Sequence, residues 1–306
     1  MSFLQAVEVW VPQGAHLLRS SAAYGNHEGF AERALSPLLR KGEGLAGTVF
    51  SSGRPEVWRE LGPPFVRAEP DQADALEAAV ALPFYVGVRL VAIAVFLCGT
   101  RAKTSGCIEL WEPNPLRELV HVAGYYGNLA AFERLSRVMR FQAGNGVPGL
   151  TWQSGLPKVV ADLGSSVSFL RAQAAREYGV QSGLSIPLYR AGTVAQVVLF
   201  LSVRASPLAR AFEVWMPDAN GHLHISEAFY EPSLSDFQIE NRSVEFVAGA
   251  GLVGKVYESG VPLAIDRGAN EAFTGHVGAA SAGLALAVAF PVHDGRRVRA
   301  VVVLLA

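Results

Sequence analysis

The side chains best suited to chemistry gather in the middle of the chain. Asp162, Ser165, Ser166 and Ser168 stand just ahead of a helix expected to begin at Phe169, and Arg171 falls in its first turn. Ser168 is the expected N-cap. The free amides and positive end of such a helix, with the Arg171 guanidinium, suit an anionic or carboxylate ligand. The plainer reading is a capped, solvated helix start. Asp162 and its counterpart Asp266 either meet a ligand or tie loop amides, the commoner duty of an acid at a turn. Tyr189 shares its place on a closing strand with Tyr85 and His293, and these either point into pockets or pack in the core with one satisfied polar tip. Glu8, Glu109 and Glu213 each stand two residues before a tryptophan (Trp10, Trp111, Trp215), so each carboxylate shares a strand face with an indole. A carboxylate on a covered face needs a partner, expected as an arginine or backbone amides across repeat contacts. His222 and His224 share a strand face with no third ligand in view, so no metal site is expected.

Three glycine segments invite a nucleotide reading: GEGLAGTVFSSGRP from Gly42, GNGVPGLTWQSGLP from Gly144 and GAGLVGKVYESGVP from Gly249. All match Gly-x-Gly-x-x-Gly, and the third approaches a phosphate loop. Val256 stands where that loop needs a hydroxyl for magnesium, and the first two segments have no lysine after the third glycine. A dinucleotide fingerprint must follow a strand in a parallel βαβ unit, whereas Phe30 to Leu39 carries its apolar residues at helical spacing. Neither ATP hydrolysis nor dehydrogenase chemistry is expected. The glycines are read as structural, Gly44, Gly146 and Gly251 taking positive φ to reverse the chain, and Gly47, Gly149 and Gly254 allowing close packing of a helix.

Those segments belong to a larger repetition. Glu-x-Trp-x-Pro opens at Glu8, Glu109 and Glu213; phenylalanines recur at 65, 169 and 273; apolar-Pro-apolar-aromatic elements begin at Leu82, Ile186 and Phe290. The last two series keep a period of 104 residues. Three repeats follow, at 1–100, 101–204 and 205–306. Within each, Val7, Val9 and Val11 alternate as a strand does, and the near-continuous apolar runs Leu90–Cys98, Val194–Leu201 and Val298–Leu305 read as strands covered on both faces. The pattern is α+β: strand, strand, helix, glycine turn, short helix, loop, helix and two closing strands.

With 50% hydrophobic and 17% charged residues the chain can bury a large core. Its 26 basic and 27 acidic residues are scattered, so no nucleic acid or acidic membrane partner is expected. No apolar run reaches the roughly 20 residues of a membrane span. The opening MSFLQAVEVW has no signal-like basic region, and a cytoplasmic location is expected. Two cysteines, Cys98 and Cys107, cannot make a disulfide framework or a structural zinc site.

The pattern G-x-G-L-x-G-x-V-x-x-S-G-x-P, then Asp162 or Asp266, then Phe169 onward, then apolar-Pro before a closing strand pair, resembles the GAF domain, three times over. The resemblance implies an antiparallel sheet of five or six strands with helices on one face and a small-molecule pocket between them. It also marks departures. The helices that flank a GAF sheet have no counterpart in the repeats. The cyclic-nucleotide signature is absent at Asn270–Glu271, and neither cysteine matches the bilin-attachment or methionine sulfoxide reductase patterns. No catalytic residue, cofactor or metal is therefore expected. The function expected is a non-enzymatic regulatory or sensory binding module for a small metabolite or a signalling partner, with homodimerisation in view. The alternative is an assembly protein of degenerate repeats with closed pockets. Open polar pockets would favour the first, and interiors filled by side chains such as Trp58 and Trp152 the second. The candidate binding residues are Asp162, Ser165, Ser166, Ser168, Arg171 and Tyr189, all in the second repeat.

An architectural expectation follows from the absent helices. A bare sheet face would expose on the order of 500 Å² of apolar surface, worth about 10 kcal/mol if buried. The back faces should therefore pack on one another, around a pseudo-threefold axis or in a dimer, burying Val9, Ile93, Val198 and Val302. A variant has the closing strand of one repeat pair with the opening strand of the next.

Overall fold

The computed structural model describes residues 2–25, 37–61, 76–266 and 282–306. Each third of the chain forms one antiparallel sheet. In the first, β1 (Leu4–Gln13), β2 (His16–Ala23) and β3 (Leu38–Arg40) precede helix α1 (Gly44–Ser52), and β4 (Glu56–Trp58), β5 (Leu76–Val86) and β6 (Arg89–Gly99) follow. The second runs β7 (Ser105–Pro113), β8 (Glu118–Gly127), α2 (Ala130–Val138), β9 (Arg140–Gln142), α3 (Gly146–Ser154), β10 (Lys158–Val160), α4 (Ala172–Tyr178), β11 (Val180–Arg190) and β12 (Thr193–Val203). The third runs β13 (Ala211–Pro217), β14 (Leu223–Tyr230), α5 (Ser235–Asn241), α6 (Gly251–Ser259), β15 (Leu263–Asp266), β16 (Leu286–His293) and β17 (Val298–Leu305). The sheet orders are β3-β2-β1-β6-β5-β4, β9-β8-β7-β12-β11-β10 and β14-β13-β17-β16-β15, one topology three times. Among the described residues no helix is long and apolar enough to cross a membrane.

Each closing strand pairs with the opening strand of its own repeat, with Glu8 opposite Val95, Glu109 opposite Leu199 and Glu213 opposite Val303. The strand-exchange variant is thereby overturned; the hairpin that ends each repeat brings its last strand home without crossing a junction.

The pleat divides every strand between two cores, because successive side chains point to opposite faces. One set packs beneath the helices of its own repeat: Trp10, Ile93 and Val95 under α1, Trp111, Val197 and Leu199 in the second repeat, Trp215, Val301 and Val303 in the third. The other set, with Val7, Val9, Phe96, Leu184, Val198, Phe200, Phe290 and Val302, forms one core shared by all three sheets. Val9, Ile93, Val198 and Val302 are all buried on covered sheets as expected, Val9, Val198 and Val302 in that shared core and Ile93, one residue out of phase, beneath α1. On the central axis the rings of Phe96, Phe200 and Phe290 form a triangle with centroid separations of 5.4, 6.3 and 6.4 Å. The β-hairpin turns at Gly87, Gly192 and Gly295 converge on one another, and Ala191 N donates to Gly87 O at 2.8 Å.

Polar contacts between neighbours close the ring. Arg54 pairs with Glu112 at 2.8 Å and Arg59 with Glu133 at 2.7 Å between the first and second repeats. Glu227 takes Lys158 and the amide of Val159 between the second and third. Asp266 accepts the amides of Tyr24 and Gly25 at 2.7 and 2.8 Å, joining the third repeat to the first. That acid serves loop amides, as the plainer reading had it.

Two expected helix positions are corrected. Leu38 and Leu39, assigned to a helix from Phe30, stand in β3, where Leu39 alone of the three residues is buried and Leu38–Arg40 pair with His16–Leu18. Sheet-edge hydrogen bonds override the local spacing; residues 30–36 lie outside the described residues, as do Phe65, Phe273 and Asn270–Glu271. The glycine segments of the first two repeats therefore follow a short strand, not a helix, although the strand is antiparallel. Two amides of each segment are committed within the turn, Gly144 N to Gly149 O at 2.9 Å and Asn145 N to Gln142 O at 3.0 Å, with the same pattern at Gly42 and Gly249. A phosphate cradle would need them free.

Gly146 opens α3 at φ 68°, as the turn requires. At Gly149 a Cβ would press into the Gln142 carbonyl, well inside van der Waals contact, and Gly47 and Gly254 meet Arg40 and Val247 likewise. The close approach is thus to the backbone just ahead of the turn, which in the first two repeats is the end of an edge strand of the sheet. Gly149→Ala is expected to destabilise the chain by about 2 kcal/mol, because the opposing atom is backbone and cannot turn aside. Urea denaturation measures it, and a midpoint unchanged from wild type would contradict the geometry.

Candidate functional site

In the second repeat the sheet face beneath the helices is centred on the carboxylate of Glu109, which is fully buried. Its position two residues before Trp111 on β7 puts both on the helix side, and Trp111 Nε1 donates to Glu109 Oε2 at 3.1 Å. Arg171 reaches in from the segment before α4 and grips the carboxylate with two hydrogen bonds, Nη1 to Oε1 at 2.6 Å and Nη2 to Oε2 at 2.9 Å. Ser136 of α2 donates to Oε1 at 2.8 Å and also meets the guanidinium. Three aromatic rings surround Arg171, with Phe132 at 4.8 Å, Phe169 at 4.9 Å and Trp111 at 5.8 Å from its central carbon. Such a planar fork against a carboxylate, stacked on aromatic faces, is the arrangement arginine makes best.

The electrostatics follow from that pairing. Burial pushes the Glu109 carboxyl up, but the Arg171 charge, its hydrogen bonds and that of Ser136 outweigh burial and hold it below the ordinary carboxylate range. Burial likewise disfavours the Arg171 cation, and Glu109 more than restores it. His121 stacks edge-on to Trp111 and accepts or donates a 2.8 Å bond with Tyr126 Oη; burial lowers its pKa. Burial and the nearby Glu109 charge push the Cys107 thiol well up, and burial alone does so for Cys98. A buried, protonated thiol is a poor nucleophile.

The same carboxylate recurs in the other repeats with different company. Glu8 accepts Trp10 Nε1 at 3.1 Å and Tyr24 Oη at 3.2 Å, with Arg19 at 3.5 Å. Glu213 accepts Trp215 Nε1 and Tyr230 Oη, both at 2.8 Å, and Asn241 Nδ2 at 2.7 Å. Among the described residues these bonds fall within one repeat rather than across repeats: the glutamates face their own helices, and the face turned to the neighbours is the apolar one. Arg67 and Gly275, which stand where Arg171 does in the period of the chain, lie outside the described residues.

The six candidate residues do not form one site. Arg171 is in the interior as described, 5% exposed, and it holds Glu109 rather than facing an external anion. Asp162 is exposed and ties the amides of Gly164 and Ser165 at 3.0 and 3.2 Å; hydrogen bonding from the Ser165 side chain, with these amides, holds its carboxyl below the usual range. Ser165 is exposed, and Ser166 and Ser168 bond each other at 2.9 Å. The helix expected from Phe169 under a Ser168 cap begins three residues later at Ala172, with Arg171 at its N-cap position and no side-chain cap. The inward pull of Phe169 and Arg171 uses those residues before the helix can start. Tyr189 lies apart, at the axis end of β11, where its hydroxyl donates to Gly155 O at 3.0 Å as Tyr85 does to Gly53 O at 2.9 Å. His222 pairs with Glu245, and His224 lies 3.8 Å from Asp218. Among the described residues no group of three or more His, Cys, Asp or Glu side chains is placed to hold a metal.

Ser136, Tyr24, Tyr230 and Asn241 were not singled out from the sequence, yet a signal existed. Tyr24, Tyr126 and Tyr230 follow the repeat tryptophans by 14, 15 and 15 residues, and Ser136 and Asn241 follow theirs by 25 and 26.

No family model matches the sequence, and no curated protein matches it significantly. Among solved structures, the GAF domain of A. aeolicus nlh2 in an inactive state is 16% identical, over 32% of this chain and 58% of that one, with a TM-score of 0.27. A Staphylococcus aureus NreA protein mutated in its nitrate-binding site is 17% identical over 35% and 82% of the two chains, with a TM-score of 0.28. The free methionine-R-sulfoxide reductase of Neisseria meningitidis in complex with its substrate is 21% identical over 34% and 55%, with a TM-score of 0.27. The matched region thus spans little more than half of the first and third of these. With its glycine pattern repeated in sequence and one sheet order repeated in space, the chain is a tandem of three α+β repeats.

Proposed function

We propose that this chain is a non-enzymatic regulatory binding module, a ring of GAF-like repeats that takes a small metabolite or engages a signalling partner. The observation that carries the non-enzymatic part is the Glu109–Arg171 pair. In the second repeat the one central carboxylate is held ionised by a guanidinium on both oxygens, which removes it as a general acid or base. The thiols, pushed up by burial, support the same reading, and two free cysteines suit a reducing, cytoplasmic setting. A thiol reagent such as Ellman's reagent is expected to leave Cys98 and Cys107 untouched in the folded chain and to titrate both in guanidinium. Rapid modification of either in the native state would reopen thiol chemistry.

A specific observation favours the alternative, an assembly protein with closed pockets. Arg171 occupies the interior of the second repeat, and Trp152 packs against the same core. Native mass spectrometry of the purified chain, followed by a metabolite screen read as thermal stabilisation, separates the two. A retained small molecule or a saturable shift supports the binding module. A bare mass with no stabilising compound supports the assembly reading.

A further inference from the structure

The three rims where neighbouring repeats meet are equivalent by the period of the chain, and one of them is different in kind. Between the first and second repeats lies a cleft of about 380 Å³, within the roughly 300–1,000 Å³ of small-molecule sites. Arg54 comes from the first repeat, just past the C-terminus of α1; Glu112, Arg190 and Gln196 come from the second. Glu112 is clamped from both sides, by Arg54 Nη2 at 2.8 Å and by Gln196 Nε2. Arg190 lies over the Tyr85 ring at 5.1 Å and gives one N–H to Gly53 O at 3.3 Å.

At the other two rims every one of these polar groups is replaced. Arg54 becomes Leu156 and Val261, Glu112 becomes Met216 and Val11, Arg190 becomes Asp294 and Val86, and Gln196 becomes Ala300 and Ala92. Ring closure alone does not require the four, because the other rims close without them. Two arginines against one glutamate leave the cleft with an excess positive charge, and Glu112 is already satisfied. Most guanidinium donors of the exposed Arg190 remain available, while Pro83, Pro113 and Leu188 supply apolar walls. A planar acceptor pair matches a guanidinium fork better than a spherical or tetrahedral anion does.

We propose that this inter-repeat cleft binds a small organic carboxylate, taken by the guanidinium groups of Arg190 and Arg54 with its body against the apolar wall. The site lies outside the three repeat interiors and stands whether or not those take a ligand. Because its two arginines belong to different repeats, an occupant also fastens the first rim of the ring.

Isothermal titration of the full chain with sodium benzoate at constant ionic strength tests it, with sodium phosphate and benzylamine hydrochloride titrated alongside. The expected result is saturable one-to-one binding of benzoate, weakened by about tenfold in Arg190→Gln and in Arg54→Gln, and none of benzylamine. Both side chains are exposed, so both variants fold, which circular dichroism verifies. Absence of saturable benzoate binding overturns the proposal, as does binding unchanged by both substitutions, which would put benzoate elsewhere. Phosphate binding more tightly than benzoate overturns the carboxylate assignment.

Discussion

Arg171→Leu is expected to cost about 3–5 kcal/mol, the loss seen when one member of a buried ion pair is removed and the other stays charged in the interior. The orphan is Glu109, fully buried between Trp111 and Ser136. Denaturation in urea measures the loss, and the double variant Arg171→Leu with Glu109→Gln should recover much of it, because the amide carries no charge to strand. A single variant as stable as wild type would show that water reaches Glu109. The pair also sets a pH dependence. Glu109 has a lower pKa folded than unfolded, so its contribution is present above the unfolded carboxylate value and is lost as pH falls through the folded one. Arg171 is raised from an already high value and adds no loss at ordinary pH. Wild type should therefore lose more stability than the double variant between neutral and acid pH; equal slopes would contradict the ion pair.

Phe200→Ala should cost a similar amount, about 3–5 kcal/mol for emptying a buried phenylalanine site. Its ring is fully buried on the central axis, 5.4 Å from Phe96 of the first repeat and 6.3 Å from Phe290 of the third. The more telling consequence is where the loss appears. Hydrogen exchange should show amides of β6 and β17 losing protection together with those of β12, since the three sheets share one core. Loss confined to residues 105–203 would mean that the repeats are stabilised separately.

Arg171 and Phe200 mark two levels at which the ring is specified. The shared apolar core, with Gly87, Gly192 and Gly295 meeting at the axis, makes the three repeats one body. The repeat interiors, by contrast, keep one glutamate and one tryptophan and vary what surrounds them, with arginine and serine in the second, tyrosine and asparagine in the third. The rims vary too, and only the first carries the Arg54, Glu112, Arg190 and Gln196 group.

Period and pattern were enough to determine a good deal of this protein. The recurrence of Glu-x-Trp-x-Pro, the glycine segments and the apolar closing runs revealed three α+β repeats, because strands covered on both faces are apolar at nearly every position. The need to cover the back of each sheet then led to packing between repeats, since an apolar face of that size cannot be left to water. What sequence could not supply is direction. Phe30 to Leu39 has helical spacing, but β3 forms at its end because a neighbouring strand offers hydrogen bonds that a local pattern does not record. Ile93 and Val95 differ from Ala94 and Phe96 only in the phase of the pleat, and that phase is set by bulges and pairing across the sheet. Arg171 reads equally well as a surface cation at a helix start; its inward turn depends on Glu109, 62 residues earlier, being brought to the same spot. In the closing strands tertiary structure alone decided which side became shared core and which faced the repeat's own helices, because there both sides are mostly apolar and only the neighbours differ.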